Sequence, residues 1–86
     1  MRPRRPSPRV LLNTAAVWEL LDRLDISQNE LARRCGISRG YMSQLMRGER
    51  NPSPRLRRRL QKVLRVEDFH VLFIVVEPEE QESGSQ

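Results

Sequence analysis

The stretch SRGYMSQLMRGER, residues 38–50, carries side chains suited to reading a patterned polar surface. Wound as a helix at about 100° per residue, Arg39, Ser43, Arg47, Gly40 and Gln44 fall within about 140° of one another. Met42, Leu45 and Met46 fall on the opposite side, and Tyr41 lies on the border. The polar side suits the edges of nucleic-acid bases. An arginine guanidinium matches guanine O6 and N7 with two parallel donors, and a glutamine amide matches adenine N6 and N7. Ser43 can give or take one bond. Glycine inside a helix is about 1 kcal/mol worse than alanine, so Gly40 gains nothing on a merely solvated face. It allows a close backbone approach or leaves room for a thymine methyl. Arg39, Gly40, Ser43 and Gln44 are therefore the base-reading candidates.

Other chemistries find no set of residues. Cys35 is the only cysteine, so no internal disulfide can form. His70 is the only histidine, which leaves no Cys/His metal set and no credible Ser–His–acid set. No glycine-rich phosphate loop occurs. The expectation is a non-enzyme with no metal and no cofactor. No apolar run approaches the roughly 20 residues needed to cross a membrane. The charged N-terminus has no long apolar segment behind it, unlike a signal peptide. The cytoplasm is the simplest compartment.

The net charge of +5 hides an asymmetry. Residues 1–65 hold all sixteen basic residues and five of the eleven acids, a balance of +11. Residues 66–86 hold the other six acids and no base, −6. A basic body implies a polyanionic partner.

The elements that must position residues 38–50 are legible around them. Val17, Leu20, Leu21 and Leu24 mark one face of a first helix, with Asn13 or Thr14 as its cap. Trp18 sits at the edge of that face and is read as packing. Ser27 and Glu30 form an S-x-x-E capping box, with Ile26 and Leu31 as its hydrophobic staple. Gly36 ends the second helix. Ser38 caps the third, which runs to about Arg47, and Gly48 stops it. Ser53 caps a fourth, with Pro54 at its first position. Leu56, Leu60, Val63 and Leu64 form its apolar face.

Counted from Gln28 to Arg47, Leu31, Ala32, Cys35, Gly36, Ile37, Met42 and Leu45 occupy positions 4, 5, 8, 9, 10, 15 and 18 of twenty. Two helices meeting steeply need a small residue at the contact, Ala32. The tight turn needs a residue at ease with positive φ, Gly36. The rest bury apolar side chains. This is the helix-turn-helix pattern.

The ends of the chain differ from its middle. MRPRRPSPR is read as a flexible basic arm, residues 1–9, either solubilising or lying along nucleic acid. In residues 66–77 a short helical turn capped by Asp68 is expected, then a strand near 73–77 formed by FIVV. RVLLN is the only other strand-like segment, so the two should pair. So small a sheet must rest on the helices or continue across a dimer. Residues 78–86 read as a disordered acidic tail. The globular domain is expected over 10–77.

SQNELARRCGISRGYMSQLMRGERNPS resembles the Cro/CI-type (XRE, lambda-repressor-like) family of helix-turn-helix DNA-binding domains. The resemblance covers about residues 13–73. It implies a mainly α, five-helix domain whose third helix enters the major groove, usually in a two-fold dimer on a near-palindromic operator. Gln28 opens the second helix, where free N–H groups attract anions. Its family counterpart bonds a phosphate and braces the first reading residue, here Arg39. Arg47, Arg50 and Asn51 match family backbone contacts, and Arg55 is added near the start of the fourth helix. Gly40 departs from the family, which places a side chain there.

The expected function is that of a sequence-specific regulator binding double-stranded DNA, a repressor acting by operator occupancy as a homodimer. The alternative is an antitoxin-like or other protein-interaction module that also binds DNA, with its protein partner engaged through residues 71–76. A third reading is binding without sequence choice.

Overall fold

The computed structural model describes residues 9–77. In chain order these form β1 (Arg9–Leu12), α1 (Thr14–Leu24), α2 (Gln28–Cys35), α3 (Arg39–Met46), α4 (Pro54–Leu64), α5 (Phe69–Leu72) and β2 (Phe73–Val76). The expected mainly α architecture of five helices and a small sheet is therefore what forms. Apart from Arg9, which opens β1, the basic arm and the acidic tail lie outside the described residues.

Every helix starts where a short polar side chain accepts a bond from a free N–H two or three residues on. Asn13, Ser27, Ser38, Ser53 and Asp68 do this for α1 to α5 in turn. The capping box is only half made. Ser27 Oγ accepts from the Glu30 N–H at 3.0 Å, but the Glu30 carboxylate turns away to Arg33 and Arg34. Two guanidiniums one turn ahead offer charge-assisted bonds, roughly twice as strong as the neutral N–H of Ser27 can give. Their bonds, that of Arg33 first, hold the Glu30 carboxyl at about 2.

Three helices stop alike, each with a left-handed residue followed by a six-to-one backbone bond, the Schellman arrangement. Gly36 does this for α2, with Ile37 N–H donating to Ala32 C=O. Asp25 (φ 57°) and Arg65 (φ 60°) do it for α1 and α4 without being glycine. The apolar residues that follow them, Ile26 and Val66, pack against the core.

The core gathers Val17 and Leu21 of α1, Leu31, Ala32 and Cys35 of α2, Met42 and Leu45 of α3, and Leu56, Leu60 and Leu64 of α4. Leu12, Leu72 and Phe73 close it from the strand end. β1 and β2 pair antiparallel, with Leu12 opposite Phe73 and Arg9 opposite Val76. The Asn13 N–H donates to Leu72 C=O at 2.7 Å, tying the start of α1 to α5. The sheet thus rests on the helices through its Leu12–Phe73 pair. One expectation fails: Trp18 is not packed but 51% exposed. It follows Val17 by one residue, about 100° around the helix, and the buried stripe of α1 is narrow enough to leave it outside.

Candidate nucleic-acid interface

Residues 28–47 form two helices whose relative position is fixed by the small residues between them. Ala32 is buried where α2 meets α3, and Gly36 takes φ +74° in the turn. Leu31, Cys35, Met42 and Leu45 are fully buried, and Ile37 is half-buried against them. Burial pushes the Cys35 thiol up to about 11, which suits packing and not nucleophilic chemistry.

Arg59 of α4 locks this turn, and sequence reasoning did not find it. Its guanidinium donates to the Cys35 carbonyl at 2.9 Å, satisfying a free acceptor at the end of α2. A Cβ built on Gly36 would meet the same guanidinium nitrogen at 2.9 Å. Nothing local distinguishes Arg59 from its neighbours in RLRRRLQK; the fold alone brings it over a turn 24 residues earlier.

With its apolar half held, α3 presents the other half outward. Arg39 and Gly40 are exposed, while Ser43 and Gln44 are half-buried. A Cβ on Gly40 would meet nothing within 4 Å, so nothing in this chain's own packing requires glycine there. The brace between Gln28 and Arg39 that the resemblance implies is not formed. Gln28 Nε2 instead donates to Ser43 Oγ at 3.3 Å. Ser43 lies one turn further along α3, and its neutral hydroxyl accepts the amide without desolvating a charge. Arg39 makes no hydrogen bond or ion pair among the described residues.

The remaining candidates cluster where the chain leaves α3. Arg47 is the C-cap, and its guanidinium pairs with Glu49, Nε to Oε2 at 2.9 Å. This bond holds the Glu49 carboxyl below the usual range. An exposed pair of this kind is weak, so a phosphate can displace the carboxylate. The Arg50 guanidinium lies over the Tyr41 ring, 5.9 Å from its centroid, while Asn51 and Arg55 are exposed. Cationic and polar groups therefore sit beyond the C-terminal end of α3, and Gln28 sits across from its middle.

The comparisons with known proteins agree with this geometry. The helix-turn-helix family HTH_3 matches residues 19–68. No curated protein matches the sequence. In fold the chain is similar to the transcriptional regulator VanUg in its crystal form II, with a TM-score of 0.64 and 23% identity over 91% of this chain and 99% of that one. With the family match running from the middle of α1 to the α5 cap and the two motif helices joined through Gly36, the chain belongs to the helix-turn-helix family, of the Cro/CI (XRE) type.

Proposed function

We propose that this chain represses transcription by occupying a near-palindromic operator as a homodimer, with α3 of each copy in a major groove. The observation that carries the reading is the division of α3. Met42 and Leu45 are fully buried while the Arg39 side chain has no partner among the described residues. Arg39, Gly40, Ser43 and Gln44 would read base edges. Gln28, Arg47, Arg50, Asn51 and Arg55 would hold phosphates, fixing register without carrying sequence information. Repression needs nothing beyond an occupied site.

Selection of binding sites from random duplex DNA at physiological salt tests this. An enriched motif is expected, with half-sites about 34 Å apart or a multiple of that. If no motif emerges, charge alone accounts for binding and the base-reading role is lost.

Gly40 gives a sharper test. Gly40→Ala should raise folding stability by up to about 1 kcal/mol, because the helix gains a better former and the new methyl meets open space. The same variant should bind the selected duplex more weakly, since the methyl would stand between the α3 backbone and the groove. Urea denaturation and a binding titration read the two effects separately. Unchanged affinity would show that no close approach occurs at Gly40.

An exposed apolar surface supports the dimer. Val71, Ile74, Val75 and Val76 are large, apolar and exposed, at 41%, 47%, 37% and 38%. Residues 71–76 carry no charge and no proline, the usual guards of a free strand edge. Pairing of β2 with its copy would extend the sheet. Ile74→Lys should therefore convert a sedimenting dimer into a folded monomer; a dimer that survives the lysine would remove β2 from the interface. The same surface motivates the second reading, an antitoxin-like module that grips another protein. A stoichiometric protein copurifying with the chain would favour it, and a clean homodimer would not.

A further inference from the structure

We propose that the solvent face of α4 is a second site for a phosphate backbone, separate from the α3 face and able to hold a second DNA duplex. Projected at about 100° per residue, Arg55, Arg58 and Lys62 fall within about 60° of one another, opposite Leu60, and Arg65, at the left-handed end of α4, lines grooves with Lys62. All four are exposed. Lys62 lines three grooves along this surface, one of which brings Arg23, at the end of α1, beside Lys62 and Arg65. Arg34 lines that groove too but is already paired with Glu30.

The stripe is costly to the fold. Like charges three and four residues apart on one helix destabilise it, and here Arg55–Arg58, Arg58–Lys62 and Lys62–Arg65 have that spacing. Among the described residues no acid pairs with any of them, although the same chain pairs Glu30 and Glu49 with arginines elsewhere. A polyanion relieves that repulsion.

The occupant is chosen by shape and charge. From Arg55 to Arg65 the stripe rises about 15 Å, the length of about four phosphates on one DNA strand. Arg55, at its foot, is shared with the phosphate set proposed for the first duplex. From there the stripe runs along α4, which packs on α2 as α3 does. None of Arg39, Gly40, Ser43 and Gln44 lines the three Lys62 grooves. Arg55 alone of the stripe belongs to the phosphate set proposed for the first duplex, which leaves Arg58, Lys62 and Arg65 for another segment.

The test uses the full chain and two short duplexes of one sequence, one on beads and one fluorescent. Protein saturating the bead-bound duplex should capture the fluorescent one. The variant Arg23→Gln, Arg58→Gln, Lys62→Gln should still bind the bead-bound duplex with the same sequence preference. Its capture of the second should fail at moderate salt, and the salt dependence of capture should flatten by roughly 3 in log–log slope. Glutamine is a good helix former and removes like charges, so a thermal midpoint at or above that of the unsubstituted chain certifies the fold.

Undiminished capture by the variant would overturn the proposal, placing bridging in two α3 faces of one dimer. No capture by the unsubstituted chain would overturn it as well. Capture that appears only after Glu79→Gln, Glu80→Gln and Glu82→Gln would give the stripe to the chain's own acidic segment instead. Loss of the bead-bound duplex by the variant would put the stripe in the first duplex's interface and overturn the proposal too, whereas failure of the unsubstituted chain to hold that duplex strikes at the α3 reading instead.

Discussion

Arg39→Ala is expected to bind the selected operator about 5- to 150-fold more weakly, a loss of about 1–3 kcal/mol, and to relax preference at one base pair. The size follows from what the side chain does unbound. Arg39 is exposed and bonds to nothing among the described residues, so truncation removes no internal contact. Folding stability should stay within about 0.5 kcal/mol, and the loss belongs to binding alone. A guanidinium that meets guanine supplies two parallel bonds that only that base accepts in that geometry. Titration against the selected site and its single-base variants checks this. Equal loss on every sequence would make Arg39 a phosphate contact. Arg50→Ala is the contrast, weakening all sequences alike and flattening the salt slope by about 1.

Much of this arrangement could be read from the chain because its signals are local. A serine before an apolar-periodic run fixes where α2, α3 and α4 start, and those three caps fell on the residues marked for them; Asn13 shared its place with Thr14, and Asp68 opened a segment whose helix or strand character the sequence left open. Gly36 and Ala32 mark the turn and the crossing because no other residue types serve so well there. The pairing of RVLL with FIVV, distant in sequence even where Leu12 meets Phe73, was legible only by elimination, as the two strand-like runs in a helical chain.

What stayed hidden depends on competition between equivalent partners. Glu30 could return to the Ser27 N–H or reach Arg33 and Arg34, and the pattern S-x-x-E does not show that two cations stand one turn ahead. Gln28 likewise had more than one polar residue of α3 to choose from, and its amide donates to the Ser43 hydroxyl. Arg59 is one of three consecutive arginines, and only the placement of α4 on α2 selects it for the Cys35 carbonyl. Trp18 shows the limit of periodicity. Its apolar character suggested packing, yet an 11-residue helix with two fully buried positions has no room for an indole on its flank. At the candidate site the side of α3 facing outward was readable by angle, while the partners that hold its side chains before DNA arrives were not.

Phe73→Ala should cost about 3–5 kcal/mol of folding free energy, the range for a buried aromatic reduced to alanine. For a chain of 86 residues whose stability is of the order of 5–15 kcal/mol, that removes about a fifth of it or more. The residue is 1% exposed, its ring centroid lies 4.8 Å from that of Phe69, and it faces Leu12 across the sheet. A two-stranded sheet is marginal unless it packs on something, and this pair is the buried join between the sheet and the helices. The damage should therefore reach past the cavity. With Phe73 gone, β1 loses its register and the 2.7 Å bond from the Asn13 N–H to Leu72 loses its frame. Urea denaturation should show the midpoint falling sharply. Val76→Ala, at the exposed end of the same strand, should cost well under 1 kcal/mol as a control, being 38% exposed. DNA affinity measured on protein that is still folded and dimeric should be nearly unchanged, because Phe73 lies in the core and the α3 face is held by Met42 and Leu45. A loss below about 1 kcal/mol would mean that the helices fold without the sheet. Normal stability with weakened binding would mean instead that β2 reaches the DNA-binding state by ordering the dimer, which sedimentation of the same variant would then show.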